Sequence, residues 1–171
     1  MNTRSGPEDG RPGPGPECDH QRAASADHNM PAIIRTESPV TLQLINPEGL
    51  PTPPTYTHVI VATGSRTVFI AGQEPEDAQG NLVGPGDLAA QARQVFANLG
   101  RALAAAGADP GQVAKITIYV VHHRPEYLPV IEQARLDLFG DHKPADTIVG
   151  VAALAQPGYL IEIDAIAVTD G

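Results

Sequence analysis

Glu162 and Asp164 stand two residues apart in the run Leu160-Ile161-Glu162-Ile163-Asp164-Ala165-Ile166-Ala167-Val168. An extended backbone alternates its side chains between two faces, so Ile161, Ile163, Ala165 and Ala167 share one face. Glu162 and Asp164 share the other with Leu160 and Ile166. Two carboxyls so placed among apolar neighbours raise each other's pKa by like-charge repulsion and partial burial, which suits a general acid or base. The same alternation also describes a sheet rim facing water, and periodicity alone does not separate the two readings. His122-His123 ends another β-rich run. Adjacent residues in extended chain point to opposite sides, so this pair is a poor bidentate metal site and reads as a solvated loop. The sequence contains no G-x-S-x-G elbow, P-loop or H-E-x-x-H segment. Its single cysteine, Cys18, can form neither an internal disulfide nor a metal cluster. No metal ligand set emerges.

Composition narrows the partners. Eleven basic against 20 acidic residues give a net charge of −9, the wrong sign for affinity built on neutralising phosphates. No nucleic-acid partner is expected. No apolar run is long enough to span a bilayer, so no membrane role is expected either. The opening MNTRSGPEDGRPGPGPECDH has no hydrophobic core segment, which makes a soluble, cytoplasmic protein the default expectation. Gly and Pro, 17 of each, crowd the N-terminal part of the chain. Residues 1–31 have almost nothing to bury and are expected to form a disordered tail. Residues 32–55 read as an extension with a short strand, where Val40, Leu42 and Leu44 share one parity, ending in the stiff spacer Pro51-Thr52-Pro53-Pro54. Residues 56–171 form the folded domain.

Within that domain the carboxylates need elements to position them. His58–Thr63 and Thr67–Ala71 are β-rich runs joined by Gly64-Ser65-Arg66, a hairpin signal. Asp87 is a helix N-cap, followed by Leu88, Ala92, Val95, Leu99, Leu103 and Ala106 at helical spacing, with Gly107 as the stop. Lys115–Val121 alternates as a strand. A second helix is predicted over Glu126–Phe139, its start blurred by Pro129. Thr147–Val151 and Tyr159–Val168 are the last two strands, linked by Gln156-Pro157-Gly158. The order predicts an α+β fold: a mixed sheet with both helices on one face. The other face would carry Tyr119 with Ile60, Ala62, Leu160 and Ile166, too apolar to stay wet, and self-association would cover it.

Phe69-Ile70-Ala71-Gly72-Gln73, the helix with Gln91, Val95 and Asn98-Leu99, Lys115-Ile116-Thr117-Ile118-Tyr119-Val120, Phe139-Gly140, Lys143-Pro144-Ala145 and Ile161–Ala167 together resemble the RidA/YjgF family. The motifs fall in the family's order over about Pro54 to Val168. The resemblance implies a chorismate-mutase-like fold, a homotrimeric barrel lined by the helix-free sheet faces, and a small-molecule ligand in clefts between subunits. It also implies hydrolysis of reactive enamines and imines, with no metal or organic cofactor.

Carried over residue by residue, the resemblance makes Glu162 the catalytic carboxylate that positions the attacking water. Tyr56 matches a tyrosine that closes over the ligand, and Gly72 keeps the backbone close to it. Ala71 stands where a serine is common. Glu132 falls near a second-helix position that contacts the pocket, and Ile148 completes the ligand-binding set. The departure is Asp146. It follows Pro144-Ala145 where the family's deaminases carry an arginine that grips the substrate carboxylate. A pocket carrying Asp146, Glu162 and Glu132 would repel a simple 2-imino carboxylate and favour a cationic ligand such as an iminium. Arg66, Arg135 and Lys143 are candidate replacement cations, with an exposed surface charge as the plain reading of each. The expectation is a RidA-like imine or enamine hydrolase; the alternative is a non-catalytic trimer that binds a metabolite or a partner protein.

Overall fold

A computed structural model describes residues 40–170 of the chain. The expected disordered tail, residues 1–31, lies outside them. The elements run β1 (Thr41–Ile45), β2 (Val59–Thr63), β3 (Arg66–Gln73), α1 (Leu88–Ala105), β4 (Val113–Val121), α2 (Leu128–Phe139), β5 (Ala145–Val151) and β6 (Ile161–Thr169). Four strands make one sheet in the order β3-β6-β4-β5, and β1 pairs with β2 in a separate two-stranded sheet. β4 and β5 run parallel, joined by the α2 crossover, while β6 runs antiparallel to both of its neighbours. The fold is α+β with a mixed sheet, as expected.

Two local expectations are corrected. The segments around Gly64-Ser65-Arg66 do not form a hairpin: β2 pairs antiparallel with β1, and β3 with β6. Gly64 has no left-handed φ to build a tight hairpin turn. It is there for close approach, since a Cβ would meet Val168 Cγ1 at 2.6 Å and the Thr169 carbonyl oxygen at 2.9 Å. The chain thus passes from one sheet to the other across the end of β6. Likewise β5 and β6 are not neighbours, because β4 lies closer to both. Ile60 and Ala62 consequently belong to the β1–β2 sheet rather than to the face carrying Tyr119.

Both helices cover the same face. Asp87 caps α1 by accepting from the backbone N–H groups of Ala89 and Ala90, and Pro129 sits in the first turn of α2, where its missing N–H is harmless. Val95, Phe96, Leu99 and Leu103 of α1 and Ile131, Ala134 and Phe139 of α2 pack on Ile116, Ile118 and Val120 of β4 and on Ile161, Ile163, Ala165 and Ala167 of β6. The alternation read from the final strand holds at every position from Ile161 to Thr169. On the opposite face stand Thr117, Tyr119, Glu162, Asp164 and Ile166, with Phe69 at the β3 edge 77% exposed.

Candidate functional site

Glu162 points from β6 to the helix-free face, opposite Tyr119 of β4. The Tyr119 hydroxyl donates to Asp164 Oδ2 at 2.9 Å, so the second carboxylate of the pair is held by a hydrogen bond. The register of β3 against β6 breaks between Ile70 and Gln73, a bulge that releases Ala71 and Gly72 from regular pairing. That brings the Gly72 backbone onto the Glu162 carboxylate, and any Cβ at position 72 would overlap Oε1. Partial burial raises the Glu162 pKa, and the negative charges of Glu74 and Asp164 raise it further. A carboxyl with raised proton affinity, pressed against open backbone, suits proton transfer to and from water.

Beyond β3 the chain lines a cavity of about 510 Å³ with Gly72, Gln73, Glu74, Glu76, Asp77, Gln94, Asn98 and Arg101. Asn98 Nδ2 donates to the carbonyls of Glu74 and Glu76 at 2.9 Å each, and Gln94 Nε2 donates to that of Glu76 at 2.8 Å. The amides of α1 thereby fix the loop. Sequence reasoning missed Glu74. The acidic string Glu74-Pro75-Glu76-Asp77 was visible, but the effect of the Glu74 charge on Glu162 depends on the fold.

Tyr56, Glu132, Asp146 and Ile148 come together elsewhere. With Thr55 and Leu128 they line a second cleft of about 340 Å³ between β5 and α2. Tyr56 is positioned by its neighbour Thr57, whose N–H and hydroxyl donate to the carbonyls of Pro144 and Lys143 at 3.3 and 2.7 Å. Asp146 and Ile148 face the helices because they sit opposite Ile116 and Ile118 of β4. Burial pushes the Asp146 pKa up to about 6, with Glu132 adding to the rise while Lys115 and Arg135 oppose it. Asp146 Oδ1 is buried without a hydrogen-bond partner.

Of the candidate cations, Arg135 is not the expected surface charge. It is 1% exposed, and its Nε donates to Glu132 Oε2 at 3.0 Å. Leu128, Glu132 and Arg135 are spaced four and three residues apart on α2, so they share the face that looks toward β5. Arg66 is exposed and reaches the Ala106 carbonyl at 3.4 Å, away from either cavity. Lys115, not among the candidate cations, donates to Thr147 Oγ1 at 2.6 Å on the helix-free face. The expectation of a single pocket holding Asp146, Glu132 and Glu162 is corrected: β-strand alternation puts Glu162 on the helix-free face and Asp146 on the face covered by α2, which carries Glu132. His122 is the one described non-glycine residue with positive φ, at 48°. No group of three metal-ligating side chains occurs among the described residues, and no helix there is long and apolar enough to cross a membrane.

Comparison with known proteins shows which family the chain resembles in sequence and fold. The sequence profile of the family described as Endoribonuclease L-PSP matches residues 50–169. The 3-aminoacrylate deaminase RutC of Acinetobacter baylyi is 33% identical over 127 residues, covering 73% of this chain and 96% of that protein. The 2-iminobutanoate/2-iminopropanoate deaminase of Bos taurus is 38% identical over 104 residues, covering 60% of this chain and 73% of the relative. Among solved structures, the Rid-family protein YyfB from Yersinia pestis superposes with a TM-score of 0.70 at 41% identity, covering 74% of this chain and 98% of that one. The chain is a member of the RidA/YjgF family.

Proposed function

We propose that this protein hydrolyses a reactive imine or enamine, with Glu162 as the proton-transfer group. The carrying observation is the contact between Glu162 and the Gly72 backbone, which leaves a carboxylate of raised pKa beside open main chain. The named activities of RutC and of the 2-imino acid deaminase support the reaction class. The imine first takes a proton from solvent; water then adds to the iminium carbon and gives one proton to Glu162 while the C=N π electrons pass to nitrogen, forming a carbinolamine. The Glu162 proton goes to the nitrogen, the carbon–nitrogen bond breaks, the hydroxyl gives its proton back to Glu162 as the C=O bond forms, and a carbonyl compound and ammonia or an amine depart; Glu162 then returns to solvent the proton that charged the imine. An enamine enters the same path after protonation at its β-carbon.

The working assembly in this proposal is a homotrimer with ligand sites between subunits. Two features support it. The two groups of site residues face opposite ways in one protomer, and the helix-free face leaves Phe69 77% exposed. At neutral pH Asp146 carries mostly negative charge, since its pKa is about 6. This opposes a 2-imino carboxylate as substrate and favours a neutral or cationic imine. The test is ammonia release from an enzymatically generated 2-imino acid and ring opening of uncharged cyclic imines. Turnover of the second class alone supports the reading. Turnover of neither supports the alternative, a non-catalytic trimer binding a metabolite or partner.

A further inference from the structure

We propose that Tyr119 is a positioning residue that divides the work of the carboxyl pair: its hydroxyl ties Asp164 down as a standing anion and leaves Glu162 as the one group that takes up and returns protons. The inference rests on the hydrolase reading and deepens it. The register of β4 against β6 puts Tyr119 directly opposite Glu162 and Thr117 opposite Asp164. The Tyr119 hydroxyl nevertheless donates to Asp164 Oδ2, at 2.9 Å. Its side chain therefore runs diagonally, from the Glu162 pair to the Asp164 pair, a reach that aromatic side chains have on a sheet face. The Glu162 carboxylate lies instead against the Gly72 backbone. Strand alternation puts both carboxyls on the helix-free face, and their partners there differ.

A donated hydroxyl favours the ionised form of the carboxylate that accepts it. Asp164 has this donor, and the Lys115 ammonium on β4 attracts it as well. Glu162 is two residues away on the same face, about 7 Å of strand rise, and meets Asp164 as a fixed negative charge. A second ionisation beside that charge is disfavoured, so the exchangeable proton belongs to Glu162. The directions agree: burial raises the Glu162 pKa, and the charges of Glu74 and Asp164 add to the rise. Tyr119 stays a donor over this range, because its bond to Asp164 raises its pKa above that of a free phenol. The other groups that face the pair are Glu74 from the loop after β3 and Lys115, which Thr147 of β5 holds. The neighbouring β3 position on this face is Phe69, which carries no charge.

The hydrolysis moves a proton from the attacking water, to the departing nitrogen, and from the hydroxyl as the carbonyl forms. Without the tie to Tyr119, the two carboxyls would share the proton and titrate as a couple. A proton resting on Asp164 would leave Glu162 with none to give to the nitrogen. Tyr119 prevents this without touching the reacting atoms.

The experiment uses the full chain with ¹³C-labelled aspartate and glutamate carboxyls, the two signals being identified by their loss in Glu162→Gln and Asp164→Asn. Titrations are followed in wild type, Tyr119→Phe, Asp164→Asn and the Tyr119→Phe/Asp164→Asn double variant. The pH profile of kcat is measured alongside, on 2-iminopropanoate generated in situ and on an uncharged cyclic imine. Asp164 should titrate below Glu162 in wild type, and its midpoint should rise by about 1–2 pH units in Tyr119→Phe, as loss of a hydrogen bond to a charged group implies. Glu162 should then begin to ionise at lower pH, with shared steps in both signals and a broadened acidic limb of kcat. Asp164→Asn should lower the Glu162 midpoint outright, and adding Tyr119→Phe should move it no further. An unmoved Asp164 midpoint in Tyr119→Phe overturns the proposal, as does a wild-type Asp164 that titrates above Glu162. So does a Glu162 shift that Tyr119→Phe produces equally in the Asp164→Asn background, which would mean that Tyr119 acts on Glu162 directly. A fall in kcat with both titrations unmoved overturns it too, and makes Tyr119 a packing residue. Absence of turnover by wild type on every imine tested overturns the hydrolase reading instead, and the titrations tell that failure apart.

Discussion

Asp146 and Glu162 lie on opposite faces of the same sheet, although only β4 separates their strands. Asp146 sits opposite Ile116, which is fully buried under the helices, whereas Glu162 sits opposite Tyr119 on the helix-free face. No single protomer can close both around one small ligand. If the two act on one substrate, a second copy of the chain must supply one of them. Light scattering at micromolar concentration should therefore give the mass of a trimer. Phe69→Glu, which puts a charge on the 77%-exposed ring position of the helix-free face, should lower that mass and abolish turnover together. A wild-type monomer mass would refute the assembly.

Gly72 offers a test that separates catalysis from folding. An added methyl overlaps the Glu162 carboxylate, which is the far end of a flexible side chain rather than fixed backbone. Gly72→Ala should therefore fold with a melting temperature close to wild type while Glu162 is pushed from its place. Loss of a positioned general base is worth about 10²–10⁴ in rate, and kcat should fall toward that range. A variant with full activity would show that the contact does not set the position of the working carboxylate.

The contrast between these two sites also shows what the sequence can carry. Strict alternation from Ile161 to Thr169 was legible because one face is sealed by helices, and burial enforces a period of two. The helix bounds were legible for a similar reason, since Asp87, Gly107 and Gly140 are local signals. Strand partners were not. Gly64 looked like a turn residue, yet it serves a close approach to Val168 and Thr169, contacts more than 100 residues away in the chain. Arg135 looked like a surface charge because its type usually is one; its burial depends on Glu132 one turn earlier and on a β5 edge that helical spacing does not reveal. The effect of Glu74 on Glu162 depends on the tertiary fold, which local sequence does not carry.

Asp146 should make stability depend on pH in an unusual direction. Its folded pKa is raised to about 6 from 3.8, chiefly by burial. Between those values the folded state binds more protons than the unfolded one, so stability falls as pH rises from about 4 to 6 and stays lower above. A shift of that size corresponds to about 3 kcal/mol at most, and about 1–2 kcal/mol is expected because water still reaches part of the group. Asp146→Asn removes the charge and keeps the shape. Its melting temperature should exceed that of wild type at pH 8, by about 3–8 °C for this size of domain, with the gain shrinking toward pH 4. A gain independent of pH would mean that burial of the charge is not the cause.

The same residue should govern which imines are accepted. A substrate carboxylate about 4 Å from an ionised Asp146 would meet about 4 kcal/mol of repulsion at an effective dielectric near 20. Lys115 and Arg135 offset part of this, but the Arg135 Nε is already committed to Glu132 at 3.0 Å. Asp146→Arg replaces the repulsion with a planar fork able to make two charge-assisted hydrogen bonds to a carboxylate. Glu132, which is paired with Arg135, can share its charge between the two guanidinium groups, so the new cation is not stranded. Ammonia release from a 2-imino acid should therefore rise in Asp146→Arg, while turnover of uncharged cyclic imines should not rise with it. The double variant Asp146→Arg/Glu162→Gln should lose the gain, because the anchor only places the substrate and Glu162 still moves the proton. Ala71, without the hydroxyl common at that position, will cap the recovery. If wild type already turns over 2-imino acids as fast as an arginine-bearing relative does, then Arg135 or another cation is the anchor, and Asp146 is not the residue that selects the substrate.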